Sequence, residues 1–568
     1  MKIKHLKHLI CWLLLPQTVV LVQAQEAISK IDTAASAMVV AAHPTASQVG
    51  VEILRQGGNA VDAAVATAFV VGVVEPHASG LGGGGGMLVY LKNNNEFHYL
   101  DYYMQTSENA DTAYNRDQDL YSPRSVCIPG TVSGLITAVQ KYGRLPLSTV
   151  MAPAIRTARQ GFVVSEKFYT NILDKLEVIS KFPETQKLFF KNDFPVAEGD
   201  TLNNLALATL LEKIAENGAS YFYKGDFAQH AVKDIQAAGG YITLDDFASY
   251  QAIERDPASI DYHNFHLYSA PPPQSGVTLL ELLNIFENAD VPAQKRFIDD
   301  AETVNLFCES IKRADSDRFQ FLGDPRHFNI PVSGLLNENY ARTRFSGIEP
   351  QKRQYPDSMN IPAGDPWSFS QNSDSEIPQN MPEDGPHTTH ISVVDSEGNA
   401  VSLTQTLGLF FGSGFSSQGV VFNSAMNIFY QYPSPNRIGP RRRPLTTISP
   451  TMITRNDSLS VVIGTPGGGQ IFNVLGQIIV RLLDFGYSPQ AAMDSPRFSA
   501  RINSRYLSME NRFPVEVKDQ LQNMGYHVRT YNDYDNFFGG VQMIVFDRAT
   551  NQYIGVSDPR RDGGASGY

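Results

Sequence analysis

The sequence predicts an α+β protein, because helical and extended patterns occupy different parts of the chain. Up to about residue 290, apolar side chains recur mostly at the spacing of helices, whereas beyond residue 388 short apolar runs alternate with turns. Apolar residues make up 42% of the 568 residues, which is enough for a large core. Charged residues make up 18%, which excludes a coiled coil and a disordered chain.

The N-terminal part has the pattern of successive helices. Residues 45–58 are apolar at helical spacing and end at Gly57-Gly58, a natural C-terminal stop. A second, more buried helix follows and is closed by Pro76. Further helical patterns, the last of them beginning after the rigid turn PPPQSG, lie at residues 133–182, 200–238 and 277–287.

Glycine dominates residues 79–91, SGLGGGGGMLVYL, which predict a loop running into a strand. A phosphate-binding loop is excluded, because no Gly-Lys-Ser/Thr follows and the next element is a strand rather than a helix. Close backbone packing is the expected use of these glycines. Residues 239–250, GGYITLDDFASY, predict a turn, a short strand and a capped helix.

The composition of the chain changes abruptly at residue 388, from polar to strand-forming sequence. Residues 349–386 are polar and rich in Pro, Asn, Ser and Asp, which predicts an exposed, mobile segment or a simple interdomain linker. Residues 388–395 and 400–406 then predict a β-hairpin around the turn SEGN. Strand- and turn-rich sequence follows, with one further helix in IFNVLGQIIVRLLDFG.

The first 24 residues predict a secretory signal, and hence an exported protein, in the periplasm or the extracellular space. A basic start precedes the apolar run LICWLLLPQTVVLV, and Val22-Gln23-Ala24 offers a small-residue cleavage site. The alternative, a membrane anchor, is disfavoured because the run is short and contains Pro16 and Gln17. No later segment predicts a membrane span.

Charge and cysteine content exclude other classes. Removing the signal removes three lysines and no acid, so the net charge changes from −12 to −15, which argues against nucleic-acid binding. Only Cys127 and Cys308 then remain, so at most one disulfide forms. The sequence has no CxxC pair and no HExxH, and we expect neither a metal nor a cofactor.

The junction between the polar segment and the hairpin suggests a specific chemistry. If the peptide bond between His387 and Thr388 breaks, Thr388 gains a free α-amine at the start of a strand. An α-amine has a pKa of about 7.7–8.0, so near neutral pH it can take the proton of the threonine hydroxyl. A threonine with its own N-terminal amine is a known activated nucleophile, although a Thr-Thr pair on a strand is weak evidence alone.

The chain resembles the γ-glutamyltransferase family of N-terminal-nucleophile hydrolases along nearly its whole length beyond the signal. Eight blocks match in order, from the helical block at 41–91 through TTHISVVDSEGNAVSLTQT to the terminal SDPRRDGGASGY. The others are SVCIPGTVSGLITAVQKYGRLPLSTVMAPAIRTARQGF, GGYITLDDFASY, PPPQSGVTLLELLNIFE, RPLTTISPTM and GTPGGG.

This resemblance implies a four-layer αββα fold and a proenzyme that cuts itself into two subunits, 25–387 and 388–568. These subunits would be partners of each other, acting on a small amide substrate. Thr388 matches the family's nucleophile, and Thr406 matches the second threonine, which orients it. Gly467 and Gly468 match the pair whose backbone N–H groups hold the oxyanion, a task that needs no intervening side chain.

Several of the residues that bind the glutamyl group of the substrate in the family are replaced here. The family's carboxylate-binding arginine falls on Tyr103, and the asparagine after the second threonine falls on Gly408. An amide and an acid fall on Ala425 and Ile428. The family's serine pair is Thr446-Thr447, which still offers hydroxyls.

These replacements affect the acyl specificity that the resemblance implies. A buried carboxylate without its partner costs about 2–5 kcal/mol. Arg441 or Arg442 could replace one of the missing substrate-binding groups. Neither could replace the arginine, the amide and the acid together. The stretch between Phe429 and Pro444 is also short against family members that carry a lid there, which predicts a more open pocket lined by Tyr103, Ile428 and Phe429.

Three hypotheses follow. The first is a γ-glutamyltransferase or glutathione hydrolase, favoured by the overall resemblance. The second is an acylase of the same fold with another acyl specificity, favoured by the missing arginine, amide and acid. The third is a secreted binding protein that has lost catalysis, and an uncleaved chain would favour it.

Overall fold

The computed structural model describes residues 30–110, 114–355, 361–370, 388–430 and 434–568. The predicted signal at 1–24 and His387 lie outside the described residues. The strands are β1 (Ile31–Ala34), β2 (Met38–Ala41), β3 (Gly84–Leu91), β4 (Glu96–Tyr102), β5 (Phe162–Val163), β6 (Phe190–Lys191), β7 (Phe194–Pro195), β8 (Thr201–Leu202), β9 (Ile253–Arg255), β10 (Ala258–Tyr262), β11 (Phe265–Ser269), β12 (Thr389–Val394), β13 (Ala400–Thr406), β14 (Ser416–Ser417), β15 (Val420–Val421), β16 (Thr451–Arg455), β17 (Ser458–Gly464), β18 (Phe498–Ser499), β19 (Tyr506–Glu510), β20 (His527–Tyr531), β21 (Gln542–Asp547), β22 (Gln552–Ser557) and β23 (Gly564–Gly567).

The helices lie mainly in the first two thirds of the chain. They are α1 (Pro44–Arg55), α2 (Ala60–Val74), α3 (Arg116–Asp119), α4 (Thr131–Tyr142), α5 (Leu147–Gln160), α6 (Glu166–Asp174), α7 (Leu176–Ser180), α8 (Pro183–Phe189), α9 (Leu205–Asn217), α10 (Ala219–Lys224), α11 (Asp226–Ala237), α12 (Leu244–Ser249), α13 (Gly276–Glu287), α14 (Ala301–Phe321), α15 (Val332–Leu335), α16 (Glu338–Phe345), α17 (Ile471–Leu483), α18 (Pro489–Asp494) and α19 (Val515–Asn523).

Two seven-stranded antiparallel sheets form the centre of the described chain. The first has the order β23-β2-β12-β13-β3-β4-β9 and the second the order β1-β22-β21-β17-β16-β11-β10. Helices α1, α2 and α4 pack on the first sheet, and α13 and α17 pack on the second. The α+β class and the four-layer αββα architecture are therefore confirmed.

Alternation along the strands explains why both faces of each sheet are buried. In β3, Met87 and Val89 belong to the core under the helices, whereas Leu88 and Tyr90 belong to the core between the sheets. The same period of two sorts the residues of the other central strands. The central strands also carry buried polar side chains, and these are hydrogen-bonded within the protein, as Ser392 and Ser402 are to backbone carbonyls of the second sheet.

The hairpin predicted at residues 388–406 is the centre of the first sheet. Strands β12 and β13 pair with each other, β2 covers the other edge of β12, and β3 covers the other edge of β13. The glycine run before β3 is the expected close backbone approach: a Cβ on Gly83 would lie 2.2 Å from the carbonyl oxygen of Thr406. The nucleophile candidate therefore begins a strand that is held on both sides.

Two local predictions are wrong in part. Residues 240–243 form no strand, because Thr243 instead caps α12, its hydroxyl accepting from the Asp246 N–H at 3.2 Å. The polar segment from residue 349 is not uniformly exposed either. Arg353 and Ile361 are buried, since the Arg353 guanidinium lies over the Tyr526 ring and Ile361 O accepts from a serine hydroxyl of α14.

The remaining composition-based expectations concern cysteines and membranes. Cys127 and Cys308 are both buried and free, so the one disulfide that the sequence allowed is not formed. Burial raises the pKa of both thiols well above the usual range, which makes them poor nucleophiles. Within the described ranges, no helix is both long and apolar enough to cross a bilayer.

Candidate active site

A pocket of about 380 Å³, partly open to solvent, lies at the end of β12 and β13. Thr388, just before β12, lines it with only 4% of its surface exposed. The full set of described lining residues is Tyr103, Thr388, Thr406, Gly408, Leu409, Asn427, Ile428, Thr446, Thr447 and Gly468.

The pocket brings together most of the residues singled out in the sequence. Gly467 directly precedes the lining residue Gly468, and Ala425 is buried nearby on the 3-10 turn Ala425–Ile428 without lining the pocket. Sequence reasoning missed Leu409 and Asn427. Asn427 lies one residue before a predicted position, and this amide within NSAMNIF was the available signal.

Thr388 has a backbone conformation that is unusual for its side chain. Its φ is +118°, in the region where a β-branched residue is a genuine outlier. Strain of this kind typically costs about 1–3 kcal/mol and is concentrated at functional sites. The outlier is therefore consistent with a functional role of this residue.

Thr406 is placed by its pairing with Gly84 of β3 and by the turn that follows. Its Oγ1 accepts a hydrogen bond of 2.9 Å from the Gly408 N–H, so the hydroxyl is fixed at the pocket wall. Gly408 has φ +90°, which a residue with a side chain rarely adopts. The neighbouring Leu409 N–H donates to Ser424 Oγ at 3.1 Å and fixes the next part of the wall.

The glycine loop after β17 reaches the same space at Gly468. Gly467 and Gly468 have φ values of +142° and +52°, and a Cβ on Gly467 would lie 3.2 Å from Gly539 Cα. The carbonyl of Gly469 accepts from the Arg501 guanidinium, which in turn binds Asp315 with Nε–Oδ2 2.7 Å. The buried Arg501–Asp315 ion pair therefore stabilises the glycine loop on the side away from the pocket.

Thr446 is held by the proline turn that precedes α13. Its N–H donates to Pro273 O at 3.0 Å, and its own carbonyl accepts from Ser275 Oγ at 2.7 Å. Ser275 Oγ also accepts from Arg318 Nε at 2.9 Å. The Thr446-Thr447 wall is therefore fixed by backbone and buried side-chain contacts.

The described lining residues include no charged side chain. Arg441 forms an ion pair with Glu108, and both side chains are more than half exposed. Arg442 donates to Arg437 O at 3.2 Å, and its guanidinium lies over the Phe328 ring. Neither arginine lines the pocket, so neither supplies the cation that the sequence lacks at Tyr103.

A third arginine lies close to Tyr103 but is committed elsewhere. Arg443 is buried and pairs with Asp101, Nη1–Oδ2 2.7 Å, while Nη2 donates to Gln251 O at 2.7 Å. Asp101 Oδ1 also accepts from the Tyr103 N–H at 3.1 Å. Asp101 thus connects Arg443 to the backbone of Tyr103 at the pocket wall. The charge of Arg443 is paired with Asp101 within the protein.

Titratable groups on β12 and beneath it have shifted pKa values. Burial lowers the pKa of His390 to about 3, so its ring is neutral and binds Thr404 Oγ1 at 2.7 Å. Burial also raises the pKa of Glu75 to about 7, opposed by the Arg561 charge and by a hydrogen bond from Thr389. Among the described residues, no cluster of His, Cys, Asp or Glu is arranged to hold a metal ion.

The arrangement brings two threonines, Thr388 and Thr406, and the backbone of Gly468 to one small space. Such a set is suited to acyl transfer, in which a hydroxyl attacks a carbonyl and N–H groups stabilise the oxyanion. The uncharged walls limit what else can bind. A charged group entering the pocket would lose water without gaining an opposite charge from the described residues.

Comparisons with known proteins agree with this chemistry. The family model described as Gamma-glutamyltranspeptidase matches residues 46–568. The chain is 35% identical to the glutathione hydrolase proenzyme of Escherichia coli K12, covering 92% of this chain and 90% of that protein. It is 32% identical to the glutathione hydrolase proenzyme of Bacillus subtilis 168, with 95% and 92% covered.

A solved structure with the same fold bears a different name. The cephalosporin acylase from Bacillus halodurans superimposes with a TM-score of 0.85 at 27% identity, covering 98% of this chain and 99% of that one. The names of the two kinds of relative indicate different substrates, glutathione in one case and a cephalosporin in the other.

Proposed function

Because this chain belongs to the gamma-glutamyltranspeptidase family, and is therefore an enzyme of the N-terminal-nucleophile class, we propose that it cleaves amides through an acyl-enzyme on Thr388. Family membership sets aside the hypothesis of a binding protein without catalysis. The convergence of Thr388, Thr406 and Gly468 on one pocket carries the proposal.

The first step of the proposed function is maturation. Thr388 Oγ1 attacks the carbonyl carbon of His387, the peptide C–N bond breaks, and water hydrolyses the resulting ester. The products are a subunit of residues 25–387 and a subunit of residues 388–568 with a free α-amine. Support comes from the φ of +118° at Thr388, whose strain the cleavage would release. The signal at 1–24 would direct the precursor to the periplasm.

The second step is turnover of an external amide. The α-amine of Thr388 takes the hydroxyl proton as Oγ1 attacks the substrate carbonyl, and the leaving amine departs with a proton. The N–H groups of Gly467 and Gly468 would hold the oxyanion, a contribution that typically amounts to about 10²–10³ in rate. Water or an acceptor amine then attacks the ester and releases the acyl group.

The acyl group that this pocket favours is uncharged. A γ-glutamyl group would place a carboxylate and an ammonium among Tyr103, Ile428 and the threonine pair, where no described lining residue has a charge. An unpartnered buried carboxylate costs about 2–5 kcal/mol, or about 30-fold or more in affinity. A cephalosporin acylase has the same fold, so the fold by itself does not require a γ-glutamyl donor.

The second candidate is γ-glutamyl transfer or hydrolysis, as in a glutathione hydrolase. It is favoured by the 35% identity to the Escherichia coli protein of that name. Thr446 and Thr447 line the pocket and could bind a carboxylate through hydroxyls alone.

One experiment tests maturation and specificity together. Intact-mass analysis of the purified protein should give two chains that divide between His387 and Thr388. The processed protein is then assayed with the 4-nitroanilides of three acids of equal chain length: γ-glutamyl (two charges), glutaryl (a carboxylate only) and pentanoyl (none). We expect pentanoyl to have the highest kcat/KM, by about 30-fold or more.

The outcomes separate the candidates. Highest turnover of the γ-glutamyl donor would establish the second candidate and require a cation that reaches the pocket. Highest turnover of the glutaryl donor would require a cation in the pocket for the carboxylate, but no anion for an ammonium group. A single uncut chain without turnover would overturn the proposed function altogether.

A further inference from the structure

A turn behind the pocket contacts both strands that end at it. The turn consists of residues 75–79 (Glu75, Pro76, His77, Ala78 and Ser79) and follows α2. Thr389 Oγ1 donates to Glu75 Oε2 at 2.8 Å, and Gln405 Nε2 donates to Ser79 Oγ at 2.6 Å. Thr389 and Gln405 are opposite each other in the β12–β13 ladder, so the turn binds one cross-strand pair.

Backbone hydrogen bonds extend the contact past Thr406. The Leu407 N–H donates to Ala78 O at 3.1 Å, and the Phe411 N–H donates to His77 O at 2.7 Å. Thr406 is thus flanked by two residues, Gln405 and Leu407, that both bind the turn. The contacts of Leu407 and Phe411 with the turn involve backbone atoms only.

The side-chain contacts are shielded from water. Thr389 is fully buried, Gln405 is 1% exposed and Glu75 is 7% exposed. Gln405 Nε2 also donates to Ala68 O of α2 at 3.2 Å, and the Arg561 guanidinium provides the charge opposite Glu75. Hydrogen bonds in such surroundings are strong, and leaving one partner unpaired is costly.

The side chains of the turn act on residues beside the threonines and not on the pocket. Glu75 and Ser79 are absent from its described lining. Thr389 is likewise absent from the lining, because its hydroxyl is directed towards Glu75 at the end of α2. The turn can therefore move the threonines relative to each other without contacting a substrate.

We infer that the 75–79 turn is a positioning device that sets the separation of Thr388 and Thr406 through Thr389 and Gln405. The inference rests on the proposed function of those two threonines. Glu75 and Ser79 are positioning residues, since they act through their neighbours. A misplacement of about 1 Å in a reacting group can cost about 10²-fold in rate, so small shifts of this turn matter.

The test is a pair of nearly isosteric variants. Thr389→Val removes the donor to Glu75 and keeps the shape, and it should lower kcat by about 10- to 100-fold while KM changes by less than about 2-fold. Thr389→Ser retains the hydroxyl and should recover most of the rate. Thr67→Val is the matched control, because Thr67 is a buried threonine of α2 whose hydroxyl binds Ala46 O at 3.3 Å.

Hydrogen exchange gives a readout that does not depend on turnover. Thr389→Val should speed amide exchange in residues 388–394 and also in 405–411, because one turn binds both segments. Equal kcat in Thr389→Val and Thr67→Val, or faster exchange in 388–394 alone, would overturn the inference. Loss of the proposed function itself would show differently, as amide turnover that persists in Thr388→Ala.

Discussion

Thr389 and Gln405 lie directly opposite each other on the antiparallel strands β12 and β13. The next residues outward, Thr388 and Thr406, consequently lie at the same end of neighbouring strands, and both line one pocket. Residues separated by a whole hairpin in the sequence are thereby brought together by the ladder.

Replacing Thr388 tests whether one hydroxyl performs both proposed steps. Thr388→Ala should abolish self-cleavage and amide hydrolysis, because the attacking oxygen is gone in each case. Intact mass and an anilide assay measure the two steps. Thr388→Ser keeps the oxygen and should retain both. Two chains from a Thr388→Ala protein would falsify the assignment.

Replacing Thr406 tests the orienting hydroxyl. Thr406→Ala removes the acceptor of the 2.9 Å bond from the Gly408 N–H and should slow both maturation and turnover, by about 10²-fold. The cost in unfolding free energy should be about 1 kcal/mol, as for one neutral hydrogen bond. Rates measured against Thr406→Ser decide the matter, and unchanged rates in the alanine variant would refute the role.

Replacing Ile428 tests the uncharged pocket. Ile428→Asp places a carboxylate where the described lining has no charge, and it should lower kcat/KM for the pentanoyl anilide by about 30-fold or more. Ile428→Asn introduces a side chain of the same shape as aspartate but without the charge, and it should lower kcat/KM much less. Equal losses in the two variants would show that polarity or shape, and not charge, limits the acyl group.

The raised pKa of Glu75 predicts a specific pH dependence of stability. The pKa is about 7 in the folded protein against 4.5 for an ordinary glutamate, so the unfolded chain releases this proton first as the pH rises. Glu75 therefore favours folding below about pH 4.5, and this contribution is lost as the pH rises through about 7, a change of about 3 kcal/mol. Arg561 and Asp562 are the charges acting on it.

The comparison with Glu75→Gln isolates that contribution. The unfolding free energy of Glu75→Gln, measured relative to the native protein in urea, should increase by about 3 kcal/mol between about pH 4.5 and pH 8. Buried histidines such as His390 also titrate, but they are common to both proteins and cancel. A difference that stays constant with pH would show that Glu75 is not protonated in the folded state near neutrality.

The sequence predicted the elements whose signals are local. The helix predicted at 45–58 is α1 (Pro44–Arg55), and the hairpin at 388–406 is β12 and β13. These succeed because apolar periodicity and turn residues are written within a few consecutive positions. The strand predicted before α12 failed because Thr243 is used as a helix cap, a choice that propensity does not reveal.

The order of the eight family blocks determined the αββα fold and the identity of the proposed nucleophile. What the sequence left open was whether Arg441 or Arg442 replaces the missing cation, and only the tertiary structure places them against Glu108 and Phe328. The contact between Glu75 and Thr389 was likewise invisible, since 314 positions separate them. Local patterns fix strands and helices, but the direction of a loop side chain and the meeting of distant segments depend on how the two sheets and their helices pack.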